Sequence, residues 1–460
     1  MNRPFLLAAL ALTALPLLAQ ETLEQRAQRF CVDLVRIDTT NPPGNETRAA
    51  EYIRRELAKV GIPAELLGGE PSRLNVVARL KAAAPTARPL LLMAHTDVVP
   101  IDPKQWTVPA FASVIRDGYL YGRGTQDDKC LLAAEMSILV ELKVRGVRLK
   151  RDIILVAEAD EEAGSTGMQW LIRNAWPKID AEFGINEGGS ADLTPEGLYL
   201  YQVQTTEKIP TRIKVLAKGS AGHGSVPRPD NAVLHLARAI VRITDTEQPV
   251  KLNTTTRRYL NAIARLPEYR WLTPHVAELD NPARSAAAAR AIRERDAELG
   301  AILATTVSPT ILEAGMKINV IPNIASVGVD VRRLPDESRE EVIARFKKII
   351  NDPAISIESF GGQEMPATEP SALSTELYLA IERVLTASAP KTMVIPAISR
   401  GATDSSYLRQ KGMAVYGAPV FLRKDKESRM HGNDERVELS SFASGTKLLH
   451  EIVKSVVAVP

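Results

Sequence analysis

Cysteine is nearly absent from this chain. Cys31 and Cys130 are the only two in 460 residues. Two thiols do not form a disulfide framework, so a small stapled scaffold is excluded. The pair reads as two buried free thiols, with a disulfide left open if the chain is exported. Basic blocks are also missing, and the net charge is only +3, so no nucleic-acid partner is expected. Beyond residue 20 no run is apolar enough to span a bilayer. What remains is ordinary for a soluble globular protein: 45 % apolar and 25 % charged residues. The length exceeds one ordinary core, which predicts two domains.

The first twenty residues, MNRPFLLAALALTALPLLAQ, carry one Arg and then roughly fourteen mostly apolar positions, the pattern of a secretory signal peptide. The expected cut follows Ala19, although Leu17 is larger than the residue usual there. No cysteine follows, which argues against a lipoprotein anchor. An uncleaved N-terminal anchor is the alternative. Residues 1–20 are therefore assigned as signal peptide. The expected location is periplasmic or secreted, with no stable membrane insertion after cleavage.

Five metal-ligand-type residues sit in short motifs, most of them closing apolar runs. His95 lies in LLLMAHTDVVP, Asp127 in YGRGTQDDK, Glu162 in DIILVAEADEEAGS, Glu187 in FGINEGG and His431 in MHGNDE. Two imidazoles and three carboxylates can hold two divalent ions if one carboxylate bridges them. Glu161 is then left beside them as a general base. That constellation points to metal-assisted hydrolysis. Asp97, two residues after His95, is placed to hold the second ring nitrogen of that imidazole. His235, His275 and His450 carry no motif and read as structural.

Thr22 and Gln25 form a capping-box pattern that predicts a helix to about Arg36. The loop TTNPPGNE and a helix ending at Gly61 follow. Apolar runs at Leu74–Leu80, Leu90–Ala94 and Ile153–Ala159 predict buried strands, and Asp127–Val144 predicts a helix. Strands alternating with helices make this an α/β sheet. After Tyr201 the order becomes β-α-β-β-α-β, a ferredoxin-like unit. It is interrupted by a long insertion at about Glu247–Val307, whose Ala- and Arg-rich stretch reads as a solvated helix. The α/β pattern returns from about Pro370.

The motif order resembles the M20 family of dinuclear metallopeptidases and deacylases, from about Thr22 to the C-terminus. HxD, GRGxxDDK, DEE, NEGG, GHGSxP, NVIP…DxR and the late His stand in that family's order. The resemblance implies an α/β, mixed-sheet catalytic domain at 21–207 and 363–460. An inserted ferredoxin-like α+β lid or dimerisation domain would occupy 208–362. It assigns His95, Asp127 and Glu187 to one metal, and His431, Asp127 and Glu162 to the other. Asp127 bridges them and is followed by a cis peptide. Glu161 is the base, and Glu435 matches the family's acidic position near the last ligand. Zn²⁺ suits the donors, and Mn²⁺ or Co²⁺ would be accepted. One departure is Cys130, where many relatives have Gly. His223 would stabilise the oxyanion, reaching the site of a partner subunit in a homodimer. Asn319 and Arg332 would bind substrate, Arg332 by holding a free carboxylate, unless Asp330 and Arg332 form only a structural pair. Gly401 and Thr403 would line the pocket. The implied activity is a carboxypeptidase or dipeptidase acting on short peptides. The alternatives are an N-acyl-amino-acid deacylase and, more remotely, a non-catalytic binding protein on the same fold.

Overall fold

The structure, a computed structural model, describes residues 21–361, 365–423 and 428–459. The signal-peptide expectation at 1–20 lies outside them. The chain divides into two compact units. The first runs to Thr205 and includes Ser371–Ile395 and the chain from Thr403 onward. The second is Thr206–Pro370 with Pro396–Ala402. Gly401 thus falls in the second unit and Thr403 in the first.

The first unit opens with helix α1, Leu23–Val35, capped by the Thr22–Gln25 box in both directions. Helix α2 is Thr47–Ala58. Strands β1 (Asn75–Leu80), β2 (Leu90–His95), β3 (Ile153–Glu158) and β4 (Phe183–Asn186) follow, with helix α3, Lys129–Val144, between β2 and β3. Every residue of β2 and of β3 is buried, as expected of strands covered on both faces. β2 pairs in parallel with β3 and with β4, and β1 joins β3 antiparallel. The register sets His95 opposite Glu158 and Leu92 opposite Ile185. The C-terminal ends of three parallel strands therefore lie along one edge, where α/β sheets carry their sites.

The second unit contains β5 (Ile209–Lys218), helix α4 (Ala232–Asp245), β6 (Thr306–Ala314), β7 (Ile324–Arg333), helix α5 (Arg339–Ile350) and β8 (Ile355–Ser359). Its antiparallel sheet has the order β6-β7-β5-β8, and residues such as Val215, Leu236, Val329 and Phe346 form its core. This is the ferredoxin-like order. Asn231 caps α4, and Ser338 with Glu341 forms a capping box on α5. The Ala- and Arg-rich stretch is a helix at Ser285–Arg295. It is not fully solvated: Ala288, Ala289 and Ile292 bury one face.

The chain returns to the first unit with β9, Ala414–Gly417, parallel to β4, and closes on helix α6, Leu439–Val457. Among the described residues no helix is long and apolar enough to cross a membrane.

The free-thiol reading of the cysteines is corrected. Cys31 on α1 and Cys130 on α3 are joined in a disulfide, 99 residues apart in sequence. The two helices pack side by side, and this brings the two Cα atoms to 5.0 Å. Cysteine number says nothing about that proximity.

Candidate metal centre

His95 is the last residue of β2, Glu161 and Glu162 follow β3, and Glu187 follows β4. Asp127 precedes α3, and the Asp127–Asp128 peptide is cis. His431 comes from a loop after β9 and holds a left-handed backbone, φ 60°. His95 Nε2 lies 2.9 Å from Asp127 Oδ1, and His431 Nε2 lies 3.1 Å from Asp127 Oδ2. His431 Nε2 is also 3.2 Å from Glu162. Asp127 thus places one oxygen on each imidazole. Ligand atoms of His95, Asp127 and Glu162 fall within 4.8 Å of one another, as do those of His95, Glu161 and Glu187. The fold gathers all five expected ligands and Glu161 in one cluster. Both compact sets differ from the expected ones: His95 stands in place of His431 beside Asp127 and Glu162, and Glu161 stands in place of Asp127 beside His95 and Glu187.

Asp97 does not hold His95 in the expected way. His95 Nδ1 meets the Asp97 main-chain carbonyl at 3.0 Å, with the carboxylate at 3.6 Å. The carboxylate instead accepts the backbone N–H groups of Glu161 and Glu162, both at 3.1 Å, and Asn41 Nδ2 at 2.7 Å. Its hydrogen bonds go mainly to the Glu161–Glu162 turn. The same Asn41 amide donates to Asp160 Oδ1 at 2.8 Å. Arg73 binds that oxygen at 2.7 Å. On the other side, Glu435 Oε1 accepts Gln126 N at 2.7 Å and Asp127 N at 3.2 Å, while Oε2 takes Arg123 at 2.6 Å. Arg123 also reaches Gly432 O, beside His431. Asn41, Arg73 and Arg123 escape a reading of the sequence; only Arg123 had a signal, as the Arg of the GRG motif. After Glu187 the chain turns through Gly188 and Gly189, φ 109° and 79°. A Cβ on Gly189 would stand 2.3 Å from the Gln202 main-chain carbonyl, and both φ values are left-handed, so the turn calls for glycine.

The electrostatics of the cluster suit cations. Burial, and then Glu187, pushes the Glu161 carboxyl well above its usual range. Burial and Asp127 do the same to Glu187. Burial alone would lower His95, yet Asp127 and Asp97 hold it well above 6.5. Hydrogen bonds to Asp127 and Glu162 carry His431 up to about 10. Protons are one source of the positive charge that these crowded acidic groups require. Two divalent ions would supply it better, and the donors (imidazole nitrogens and carboxylate oxygens) suit them.

Three expected residues fall in the second unit, His223 and Asn319 on a short ladder of their own and Arg332 on the main sheet. His223 is exposed, with Nδ1 2.7 Å from Ser225 Oγ. It pairs with Val320, and the neighbouring Gly224 N donates to Asn319 O, so His223 and Asn319 share one short ladder. Arg332 on β7 is held by Asp330, 3.0 Å away, the structural pairing that the sequence left open. Gly401 N donates to Ser399 Oγ. Thr403 is buried in the first unit, and its Oγ1 accepts Ser405 N.

A cavity of about 170 Å³ adjoins this centre in the first unit, with Asp128 and Glu187 in its wall.

Fold and site together define an α/β protein with a clustered metal-type centre and an inserted α+β unit. The chain belongs to peptidase family M20/M25/M40, whose pattern matches residues 91–455. It is a hydrolase acting on amide bonds. It is 27 % identical over 382 residues to the human N-fatty-acyl-amino acid synthase/hydrolase PM20D1, covering 82 % of this chain and 76 % of that protein. It is 28 % identical over 401 residues to a probable carboxypeptidase S-like 2 of Dictyostelium discoideum, covering 83 % and 76 %. In fold it is similar to the M20 family metallo-carboxypeptidase Sso-CP2 from Sulfolobus solfataricus. The TM-score is 0.71 at 19 % identity, over 94 % of this chain and 99 % of that one.

Proposed function

We propose that this chain is an exported, dinuclear metal-dependent amide hydrolase that acts on short peptides with a free C-terminal carboxylate. The observation that carries this reading is the single cluster of His95, Asp127, Glu161, Glu162, Glu187 and His431. His95, Asp127 and Glu187 would hold one ion, and His431, Asp127 and Glu162 the other. Zn²⁺ is the first choice, and Mn²⁺ or Co²⁺ would fit. When bound, such ions polarise a carbonyl and lower the pKa of water. Glu161 takes the proton of the attacking water and returns it to the leaving nitrogen. Asp97 and Asn41 keep the Glu161–Glu162 turn in place. His223 stabilises the oxyanion, from a partner's lid in a homodimer. Arg332, with Asn319, anchors the carboxylate. Gly401 and Thr403 line the pocket. The Cys31–Cys130 disulfide supports a periplasmic or secreted location, because such bonds persist in oxidising compartments.

A second reading, hydrolysis of N-acyl amino acids, is favoured by the similarity to the human N-fatty-acyl-amino acid synthase/hydrolase over most of both chains. Both readings break an amide next to a free carboxylate. The test is turnover of dipeptides and N-acyl amino acids by chain stripped with chelator and reloaded with Zn²⁺, Mn²⁺ or Co²⁺. Metal-restored cleavage of either class is expected. Ligand binding without turnover under every metal would leave a non-catalytic binder instead.

A further inference from the structure

A charged pair outside the metal cluster meets the turn that carries two of the cluster's residues. Asp160 directly precedes Glu161 and holds a left-handed backbone, φ 69°. A residue other than glycine keeps that conformation only where its surroundings fix it. Four donors fix this carboxylate. Oδ1 accepts Asn41 Nδ2 at 2.8 Å and Arg73 Nη2 at 2.7 Å. Oδ2 accepts Thr166 N at 3.2 Å and the Thr166 hydroxyl. Arg73 lies just before β1, and its Nη2 also donates to Glu46 Oε1 at 2.8 Å. Its Nε donates to both Glu46 oxygens at 3.2 Å. Glu46 is fully buried and stands at the N-cap of α2, yet its carboxylate caps no N–H of that helix. It takes Arg73 and the Asn45 N–H instead. The two segments are already tied without these side chains' charges. Thr47 N donates to Ser72 O at 3.1 Å, and Leu74 N to Thr47 Oγ1 at 3.0 Å. The guanidinium is therefore left to join Glu46 to Asp160.

We infer that Arg73, anchored on Glu46, is a positioning residue that fixes, through Asp160, the turn aiming Glu161 and Glu162 at the metal centre. This rests on the proposed roles of Glu161 as base and Glu162 as ligand. Asp97 binds the two N–H groups of the turn, and Arg73 binds the side chain just before them. The Asn41 amide links the two carboxylates, donating to Asp97 as well as to Asp160. A planar fork suits Arg73, because it serves two carboxylates at once. Without it, two buried carboxylates would lose their shared counter-charge and the turn would shift. A misplacement of about 1 Å at a reacting group costs on the order of 10²-fold in rate.

The experiment compares Arg73→Ala with the wild-type chain. Metal affinity in chelator competition should fall about 10–100-fold, because Glu162 rides on the same turn. At full metal occupancy kcat should fall about 10–100-fold, with KM changed less than about twofold. The Arg73 side chain is 16 % exposed, so a small cation can enter the space it leaves. Free guanidinium ion, well below denaturing concentration, should restore part of both losses, while potassium ion at equal ionic strength should not. Arg73→Lys keeps the charge without the fork and should fall between the two. A folded Arg73→Ala with unchanged affinity and kcat overturns the inference. Losses that neither guanidinium nor Arg73→Lys recovers mark general damage and overturn it as well. If the wild-type chain cleaves no amide under any metal, the proposed function falls, and metal affinity alone decides: a loss repaired by guanidinium upholds the positioning role, and equal affinity overturns it. Should Arg73→Ala fail to fold, Glu46→Gln, which keeps the shape of the anchor and removes its charge, gives the decision. A loss of at least about threefold in affinity or kcat upholds the role, and none overturns it.

Discussion

Glu435 accepts the backbone N–H of Asp127 at 3.2 Å although 308 residues separate them. With Arg123 bound to its other oxygen, Glu435 ties the bridging carboxylate's segment to the loop of His431. Glu435→Ala would leave Arg123 buried without its partner. We expect about 3–5 kcal/mol of lost stability by thermal unfolding. Metal affinity should fall roughly 10–100-fold in chelator competition, as for other groups that orient ligands. Unchanged affinity in a folded variant would remove Glu435 from the support of the site.

In the proposed mechanism the adjacent carboxylates have separate tasks. Glu161→Gln should retain two metals per chain by elemental analysis yet lose about 10²–10⁴-fold in kcat. Glu162→Gln should instead weaken metal binding, because Glu162 contacts His431 and packs with Asp127. The reverse pattern would mean the two are assigned in the wrong order.

Metal binding must displace protons from His95 and His431. An ordinary imidazole stops competing above about pH 6.5. Here His431 keeps its proton to about 10, so apparent metal affinity should keep rising with pH through neutrality toward that value. For the metal-free chain the sign is opposite. The raised pKa adds stability that is fully present below about 6.5 and lost as pH climbs through about 10. Competition with a chelator of known pH dependence, and thermal melts of stripped chain across the same range, would expose either slope. A plateau of affinity above pH 7 contradicts the coupling.

The Cys31–Cys130 bond closes a loop of 99 residues. Replacing both with Ala should cost about 2–5 kcal/mol, the range for native disulfides. Thiol titration of the unreduced, denatured wild-type chain should find none. Two titratable thiols would restore the free-thiol reading.

His223 serves the transition state in the proposed mechanism. His223→Ala should lower kcat strongly and leave metal content intact. Mixing it with Glu161→Gln chains should recover part of the activity if the lid acts in a partner's site. No recovery after verified subunit exchange rules out action in trans.

Much of this was legible in the sequence because its causes are local. A fully apolar run such as Leu90–Ala94 must be a buried strand, and its end sets His95 at the sheet edge. The Thr22–Gln25 box starts a helix through bonds three residues apart. His95, Glu162 and Glu187 could be named because each follows or closes such an element, whereas Asp127 and His431 were legible through the order of motifs. Other features depend on which distant segments pack together, and only the folded chain decides that. The cysteines pair because α1 lies on α3. Asp97 turns its carboxylate to the Glu161–Glu162 turn because that turn, 64 residues on, presents free N–H groups that need acceptors when buried. Arg332 meets Asp330 because residues two apart on β7 share a face. The cavity beside Glu187 forms where α3, the segment after β9 and the strand after Glu435 converge, a volume that no single stretch of sequence contains.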